Sequence, residues 1–368
     1  MKKLFLLTLI LGFGLTAFAQ SNVYFTSEIT PESLVRVFQA LGVEPTGTVA
    51  IKISTGESPK SNYLRPELIY QLVDYTGGNL VECNTAYGGM RDATPGHLMV
   101  IEQRGFNEIA KVDIMDSEGD MEIPVADTTW IKYDLVGSHL AEYDFMINLA
   151  HFKGHAKGGY GGVLKNQSIG VASRKGKCNI HTAGSSTTTI NGSNSQDSFL
   201  ESMAAAAQAV HNYFKQPGKD IVYIDVMNNL SVDCDCNPNP APAEIEDIGI
   251  LASTDPIALD KACLDLIFNM NPTPGNDPQP LINRITELHG THIIEYAAQI
   301  GLGSLEYNLI DITGVGIGEI NHENPDPETL RYNVFTIDGK KILHNAKSLE
   351  SLKPGVYIIN GKKQVIVR

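Results

Sequence analysis

Asp247-Ile-Gly-Ile-Leu-Ala252 is followed by Ser-Thr-Asp255-Pro256 and then an apolar-periodic run to Phe268. The first six residues are a short apolar β run. Asp255 stands where a helix N-cap belongs and Pro256 where the first helical residue belongs, the favoured order for both. A strand passing directly into a capped helix is half of a βαβ unit. The same alternation continues on both sides. Thr48–Ser54 (TVAIKIS) predicts a strand, and Leu68, Ile69, Leu72 and Val73 space a helix over 65–75. A strand follows at 79–83, a short helix at 97–105 and a buried strand at 144–149. An Ala-rich helix at 198–214, a strand at 220–226, helices near 278–289 and 292–300, and a last strand at 307–312 complete the series. Strands alternating with helices predict an α/β fold, a mostly parallel sheet with helices on both faces. Ligands of such sheets sit at the carboxyl ends of the strands.

Composition sets the outer limits. The chain has 368 residues, 42% hydrophobic and 19% charged, which is too apolar for a disordered chain. With 28 basic and 42 acidic residues its formal charge is −14, which excludes nucleic acid as a partner. Five cysteines in this length exclude a disulfide-stapled miniprotein.

Both ends depart from the body. Lys2 and Lys3, the apolar run Leu4–Leu15 and the Ala17-Phe18-Ala19 site read as a secretory signal over 1–19. The run is shorter than the roughly 20 residues a bilayer needs, and no later run approaches that length, so no transmembrane segment is expected. Cleavage leaves 26 basic residues against 42 acidic, a mature charge of −16. The expected location is exported: periplasmic, cell-surface or extracellular. An α/β domain is expected over 20–322 and a linker with a β-rich tail over 323–368. Asn324-Pro-Asp-Pro-Glu328 is rich in turn formers. Residues 331–368 carry eight Lys/Arg against Asp338 and Glu350, and pair short β runs with Asp338-Gly339 and Asn360-Gly361 turns. This tail resembles the C-terminal sorting module of exported Bacteroidetes proteins, in Lys353-Pro-Gly-Val-Tyr-Ile-Ile359 and Lys362-x-x-Val365. That resemblance implies secretion machinery as a partner; a plain hairpin appendage is the other reading.

One segment concentrates chemistry. Residues 148–181 hold His151, Lys153, His155, Lys157, Gly161, Gly162, Lys165, Asn166, Lys175, Lys177, Cys178 and His181. It follows a buried strand directly. Its glycines permit close backbone approach to a ligand, and its basic residues in an acidic protein point to a small anionic molecule, a carboxylate or phosphate. A solvated surface loop is the alternative, but Val163, Leu164, Ile169 and Val171 run through the same stretch. Asp233-Cys234-Asp235-Cys236 follows the strand at 220–226. In an extended chain Cys234 and Cys236 share one face, which suits zinc or a similar divalent ion. A local disulfide and two inert thiols are the alternatives. His151, His155, Cys178 and His181 are the plausible further metal ligands. Cys83 and Cys263 are expected in the core. Arg91 and His97 follow the second strand of the series, and Arg91 has the fork geometry to hold a carboxylate. No run of four cysteines invites an iron–sulfur cluster.

Phe152-Lys-Gly-His155, Gly161-Gly-x-x-Lys165-Asn166, Gly176-Lys-x-x-x-His181, Cys234-Asp-Cys236 and Gly249-Ile-Leu-Ala-Ser-Thr-Asp-Pro-Ile-Ala-Leu-Asp260, in this order, resemble domain-of-unknown-function family 362 over about 45–315. Many members carry a ferredoxin-like insertion after the position of His181. This chain has Ala183 to Ser198 there, without Cys, so no iron–sulfur cluster is expected. More distantly, His155, Gly161-Gly162, Lys165 and His181 resemble the spacing of the nickel-pincer lactate racemases. That resemblance implies a proton-transfer role for His155, a cofactor-bearing amine for Lys165 and a nickel ligand in His181. Met90 stands where those enzymes place a companion His, which leaves His97 as the substitute. Two functions follow as expectations. One is a metal-assisted enzyme moving a proton beside a carboxylate, with His155 as base and Lys165 or Arg91 on the anion. The other is a non-catalytic metal- or ligand-binding protein.

Overall fold

The computed structural model describes residues 20–315, 332–336, 341–346, 351–353, 355–359 and 362–366. The leader and the linker, with the expectations placed on them, lie outside the described residues. The chain divides into two compact units, Met1–Gly318 and Glu319–Arg368.

The first unit begins with β1 (Ser21–Thr26), α1 (Pro31–Gln39), β2 (Val49–Lys52), α2 (Pro66–Thr76) and β3 (Asn79–Glu82). Next come α3 (Thr94–Gln103), α4 (Phe106–Ile109), β4 (Val112–Ile114), β5 (Asp120–Pro124), β6 (Tyr133–Gly137) and β7 (Phe145–His151). The expected loop over 148–181 is folded instead into β8 (Lys153–His155), β9 (Gly159–Gly161), α5 (Val163–Ser168) and α6 (Arg174–His181). It is followed by α7 (Gln196–Phe214), β10 (Asp220–Met227), β11 (Gly249–Ser253) and α8 (Pro256–Phe268). The unit closes with α9 (Gln279–Glu287), α10 (His292–Gln299) and β12 (Tyr307–Asp311).

Eight strands form one sheet in the order β12-β1-β11-β10-β7-β2-β3-β4. Every neighbouring pair is parallel except the two that involve β11. The α/β class with a mostly parallel sheet is therefore what the chain adopts. β11 runs the other way because it follows β10 without an intervening helix, and parallel neighbours need a crossover. All seven residues of β7 are buried, as a central strand covered on both faces requires.

Asp255 caps α8 as its sequence implies, with Oδ1 accepting from the N–H groups of Ile257 (2.9 Å) and Ala258 (3.1 Å). In α7 the run Ala204–Ala207 is buried, and this helix packs against α5 and α10. Small side chains there bring α5, and Lys165 with it, close to the sheet. The ends of β2, β3, β7 and β10 point to one edge.

The second unit contains β13 (Tyr332–Thr336), β14 (Lys341–Ala346), β15 (Gly355–Ile359) and β16 (Lys362–Ile366), an antiparallel sheet in the order β14-β13-β15-β16.

Candidate active site

At that edge lies a cavity of about 290 Å³. Lys52 ends β2, Glu82 ends β3 and His151 ends β7, and all three line it. The loop after β10 contributes Cys234, Asp235 and Cys236.

One wall is neutralised within itself. Arg91 Nε lies 3.1 Å from Glu57 Oε2 and its Nη1 3.3 Å from Glu82 Oε1. Arg91 Nη2 also donates to the Tyr87 hydroxyl (2.9 Å). Burial alone raises the Glu82 carboxyl, but Arg91 and then His97 outweigh it and hold it well below the usual carboxylate range. His97 is fully buried, with Nε2 3.2 Å from Glu82 Oε2 and 3.2 Å from Thr55 Oγ1. Arg91 lines the cavity with its charge already matched, whereas His97 is not among the lining residues.

The opposite wall is not neutralised. Lys52 Nζ donates to the Ile53 carbonyl (2.5 Å) and to Asn166 Oδ1 (3.2 Å). Lys177 Nζ donates to the Ala172 carbonyl (2.5 Å). Among the described residues neither has a carboxylate within ion-pair range, and the Lys165 amine makes no hydrogen bond. Burial, then the neighbouring Lys153 charge, press the Lys165 amine down to about 7 against the pull of Asp235. Burial lowers Lys52 to about 8, with Glu82 opposing.

Helix α5 sets the Lys165 position. Gly162 is its N-cap, and Asp260 from α8 accepts from the N–H groups of Val163 (2.9 Å) and Leu164 (3.2 Å) and from the Tyr160 hydroxyl (3.1 Å). A Cβ on Gly162 would meet Asp260 Oδ1 at 2.3 Å, and one on Gly161 would press on Lys165 Cδ at 3.3 Å. Asn166 ties the helix to the sheet, donating to the Lys52 carbonyl (3.1 Å) and Asn148 Oδ1 (2.8 Å).

His155 Nδ1 accepts the backbone N–H groups of Gly158 (2.8 Å) and Lys157 (3.2 Å). In the neutral ring Nε2 therefore carries the proton. Burial, then Lys165 and Lys153, hold His155 well below its ordinary value, so it is neutral at pH 7. Burial, then Lys157 and Lys165, bring His181 down to about 3. Its ring stacks on Phe199 at 4.9 Å, and its buried Nδ1 has no partner among the described residues. His151 has both nitrogens engaged, with Asp235 Oδ1 (2.8 Å) and the Asn228 carbonyl (2.6 Å). None is left for a metal.

Of the three states open to Cys234 and Cys236, the structure holds the disulfide. The two sulfurs and a ring nitrogen of His155 lie within 4.8 Å of one another. One ion can span that spacing, but joined sulfurs offer no thiolate, so the trio fits a metal only as the dithiol. Asp235, between them, receives Lys153 Nζ at 2.8 Å. Cys178 is buried on α6, is not among the lining residues and brings no ligand to the trio. Cys83, expected in the core, is buried but borders the cavity, its thiol donating to the Val171 carbonyl.

The cavity thus gathers Arg91, His151, His155, Gly161, Gly162, Lys165, Asn166, His181, Cys234 and Cys236, and leaves out His97 and Cys178. Lys52 and Glu82 are further lining residues that the sequence reading passed over. The signal was present: each is a charge inside a strand that is otherwise apolar.

The model of the family described as "Domain of unknown function (DUF362)" matches residues 49–265. No protein of curated function matches the chain. Among solved structures, the lactate racemase apoprotein from Thermoanaerobacterium thermosaccharolyticum is similar at 13% identity and a TM-score of 0.35, over 80% of this chain and 84% of that one. A structural-genomics protein from Thermotoga maritima is similar at 11% identity and a TM-score of 0.39, over 73% of this chain and 58% of that one. The family match spans more than half of the sequence and contains the cavity residues from Lys52 to Cys236: the chain belongs to domain-of-unknown-function family 362.

Proposed function

We propose that the cavity is the active site of an isomerase- or racemase-like enzyme, exported to the periplasm, cell surface or medium, that moves a proton beside the carboxylate of a small anionic substrate. One observation carries this: the half-buried Lys165 amine, lowered to about 7, lines the cavity beside Lys52 and Lys177, which have no carboxylate partners among the described residues. Lys52 and Lys177 take the substrate carboxylate. Neutral Lys165 accepts the α-proton, a task suited to a base with a pKa near the working pH. The Nε2–H of His155 donates to the oxygen on which charge develops. The role of base expected for His155 thus passes to Lys165, because the free Nδ1 lone pair that role needs is taken by Gly158 and Lys157. His181, neutral and on the same cavity, is the second proton-transfer group. A zinc or nickel ion, held by the dithiol form of Cys234 and Cys236 with His155, would supply Lewis acidity toward a substrate oxygen in place of the Nε2–H, since that nitrogen cannot donate and ligate at once.

The test is deuterium uptake at the α-carbon of small 2-hydroxy and 2-amino carboxylates in D₂O, followed by mass spectrometry. Exchange is expected, with kcat/KM rising about tenfold per pH unit below pH 7 and levelling above it as Lys165 deprotonates. Lys165→Ala should abolish it. Tight binding of such anions without any exchange would leave the non-catalytic ligand-binding function instead.

A further inference from the structure

We infer that Cys234 and Cys236 form a redox-active pair that exchanges electrons with an anionic low-molecular-weight thiol admitted to the cavity. Four observations meet at this pair. The disulfide lies in the wall of a cavity large enough for a small molecule. Its two cysteines are unequal in burial: Cys234 is buried and Cys236 half-buried. A ring nitrogen of His155 is within 4.8 Å of both sulfurs, and Nε2, the nitrogen not engaged by backbone, is the one that carries a proton. The bond also joins residues only two apart. A bridge that short closes the smallest of loops, where the chain-entropy gain is least.

The loop does not need the bond for its placement. Asn237 N–H donates to the Cys234 carbonyl (2.9 Å) and Glu57 N–H to the Asp235 carbonyl (2.8 Å). The Asp235 side chain is anchored by His151 and Lys153. The thiols therefore stay in place when the bond opens, as a reversible couple requires.

The step balances as follows. A thiolate attacks the Sγ of Cys236, the less buried of the two cysteines; the S–S bond breaks, a mixed disulfide forms and Cys234 leaves as a thiolate. The Nε2–H of His155 stabilises that leaving group. A second thiolate attacks the mixed disulfide and releases the external disulfide and the Cys236 thiolate. Two external thiols have lost two electrons, the cystine has gained them, and the two protons end on Cys234 and Cys236. Lys52 and Lys177, without carboxylate partners among the described residues, select a thiol that also carries a negative charge. This couple is independent of the proton-transfer chemistry, since it needs neither the Lys165 base nor an α-proton.

The experiment treats the mature full-length chain with mercaptoacetate or neutral 2-mercaptoethanol, with rates expressed per thiolate. Thiols are counted and then mapped by alkylation and mass spectrometry. Two new thiols are expected at Cys234 and Cys236, with a mercaptoacetate adduct trapped on Cys236. Mercaptoacetate should be faster by about tenfold at low salt, and most of that advantage should vanish in 1 M salt, where the Debye length is about 3 Å. Cys234→Ser, treated with the disulfide of mercaptoacetate, should take up one mercaptoacetate on Cys236 and release one mercaptoacetate thiolate, and should hold that adduct until external thiol is added. If the protein is isolated as the dithiol, the disulfide of mercaptoacetate should reoxidise it with the same salt dependence. A cystine that resists both thiols until the protein is unfolded overturns the inference. Equal rates for the charged and neutral thiol overturn the assigned substrate class.

Discussion

Lys165 is the residue on which most turns. Its amine falls from an ordinary 10.5 to about 7 in the fold. Between those values the unfolded chain holds a proton that the folded chain does not, so stability rises with pH across the window. Below about pH 7 both states are charged and the full cost of burying the ammonium is present, on the order of several kcal/mol at about 1.4 per pH unit. Lys165→Met should therefore raise the melting temperature most at pH 5.5–7. The gain should shrink steadily toward pH 10, as followed by thermal melts along a pH series. A variant that is stabler and yet inactive is the signature of a charge kept for function. The sequence shows this residue because Lys, His and Gly crowd between 148 and 181. It hides Lys52, because a single Lys in TVAIKIS resembles a strand whose side chain reaches solvent, and only the sheet order reveals that β2 is covered on both sides.

At the scale of elements, α5 is six residues long and depends on its cap. Asp260 satisfies two of its free N–H groups from another helix, so a single side chain links α8 to the placement of Lys165. Asp260→Ala should cost about 1–2 kcal/mol, the usual loss for an N-terminal cap, seen as a fall of roughly 2–8 °C in melting temperature. Its effect on deuterium exchange should be larger than that loss explains, because α5 shifts. Gly162→Ala should do the same by driving a methyl into Asp260. The β11–α8 unit is legible in sequence because strand, cap and proline are contiguous. The pieces β8, β9, α5 and α6 are not: each is short, and glycines at 154, 158, 159, 161, 162 and 170 hide any period. Strand β1 also escapes notice, since six residues of SNVYFT carry little signal without their neighbours on either side.

For the molecule as a whole, the opposite charges of body and tail agree with the division of the chain into two compact units. A chain ending at residue 322, expressed in an exporting host, should melt within a few degrees of the full-length protein. Its intact mass should begin at Gln20. An unprocessed leader, or a fall of more than several degrees, would show that the ends belong to the body. No helix among the described residues is long and apolar enough to cross a membrane.

Strand β1 is hydrogen-bonded on one side to β11 and on the other to β12. Both partners are made late: the register pairs Phe25 with Leu251 and with Asp311. At about 5–20 residues per second, the first strand to leave the ribosome waits on the order of 15–60 s for its last neighbour. Until then β1 is left with one side unpaired at the edge of the sheet, a place that no earlier segment fills. If the chain, exported as proposed above, crosses unfolded, that order of synthesis would leave it time before the fold closes. The eight-stranded sheet is complete only when residues 21–26 and 307–311 have met.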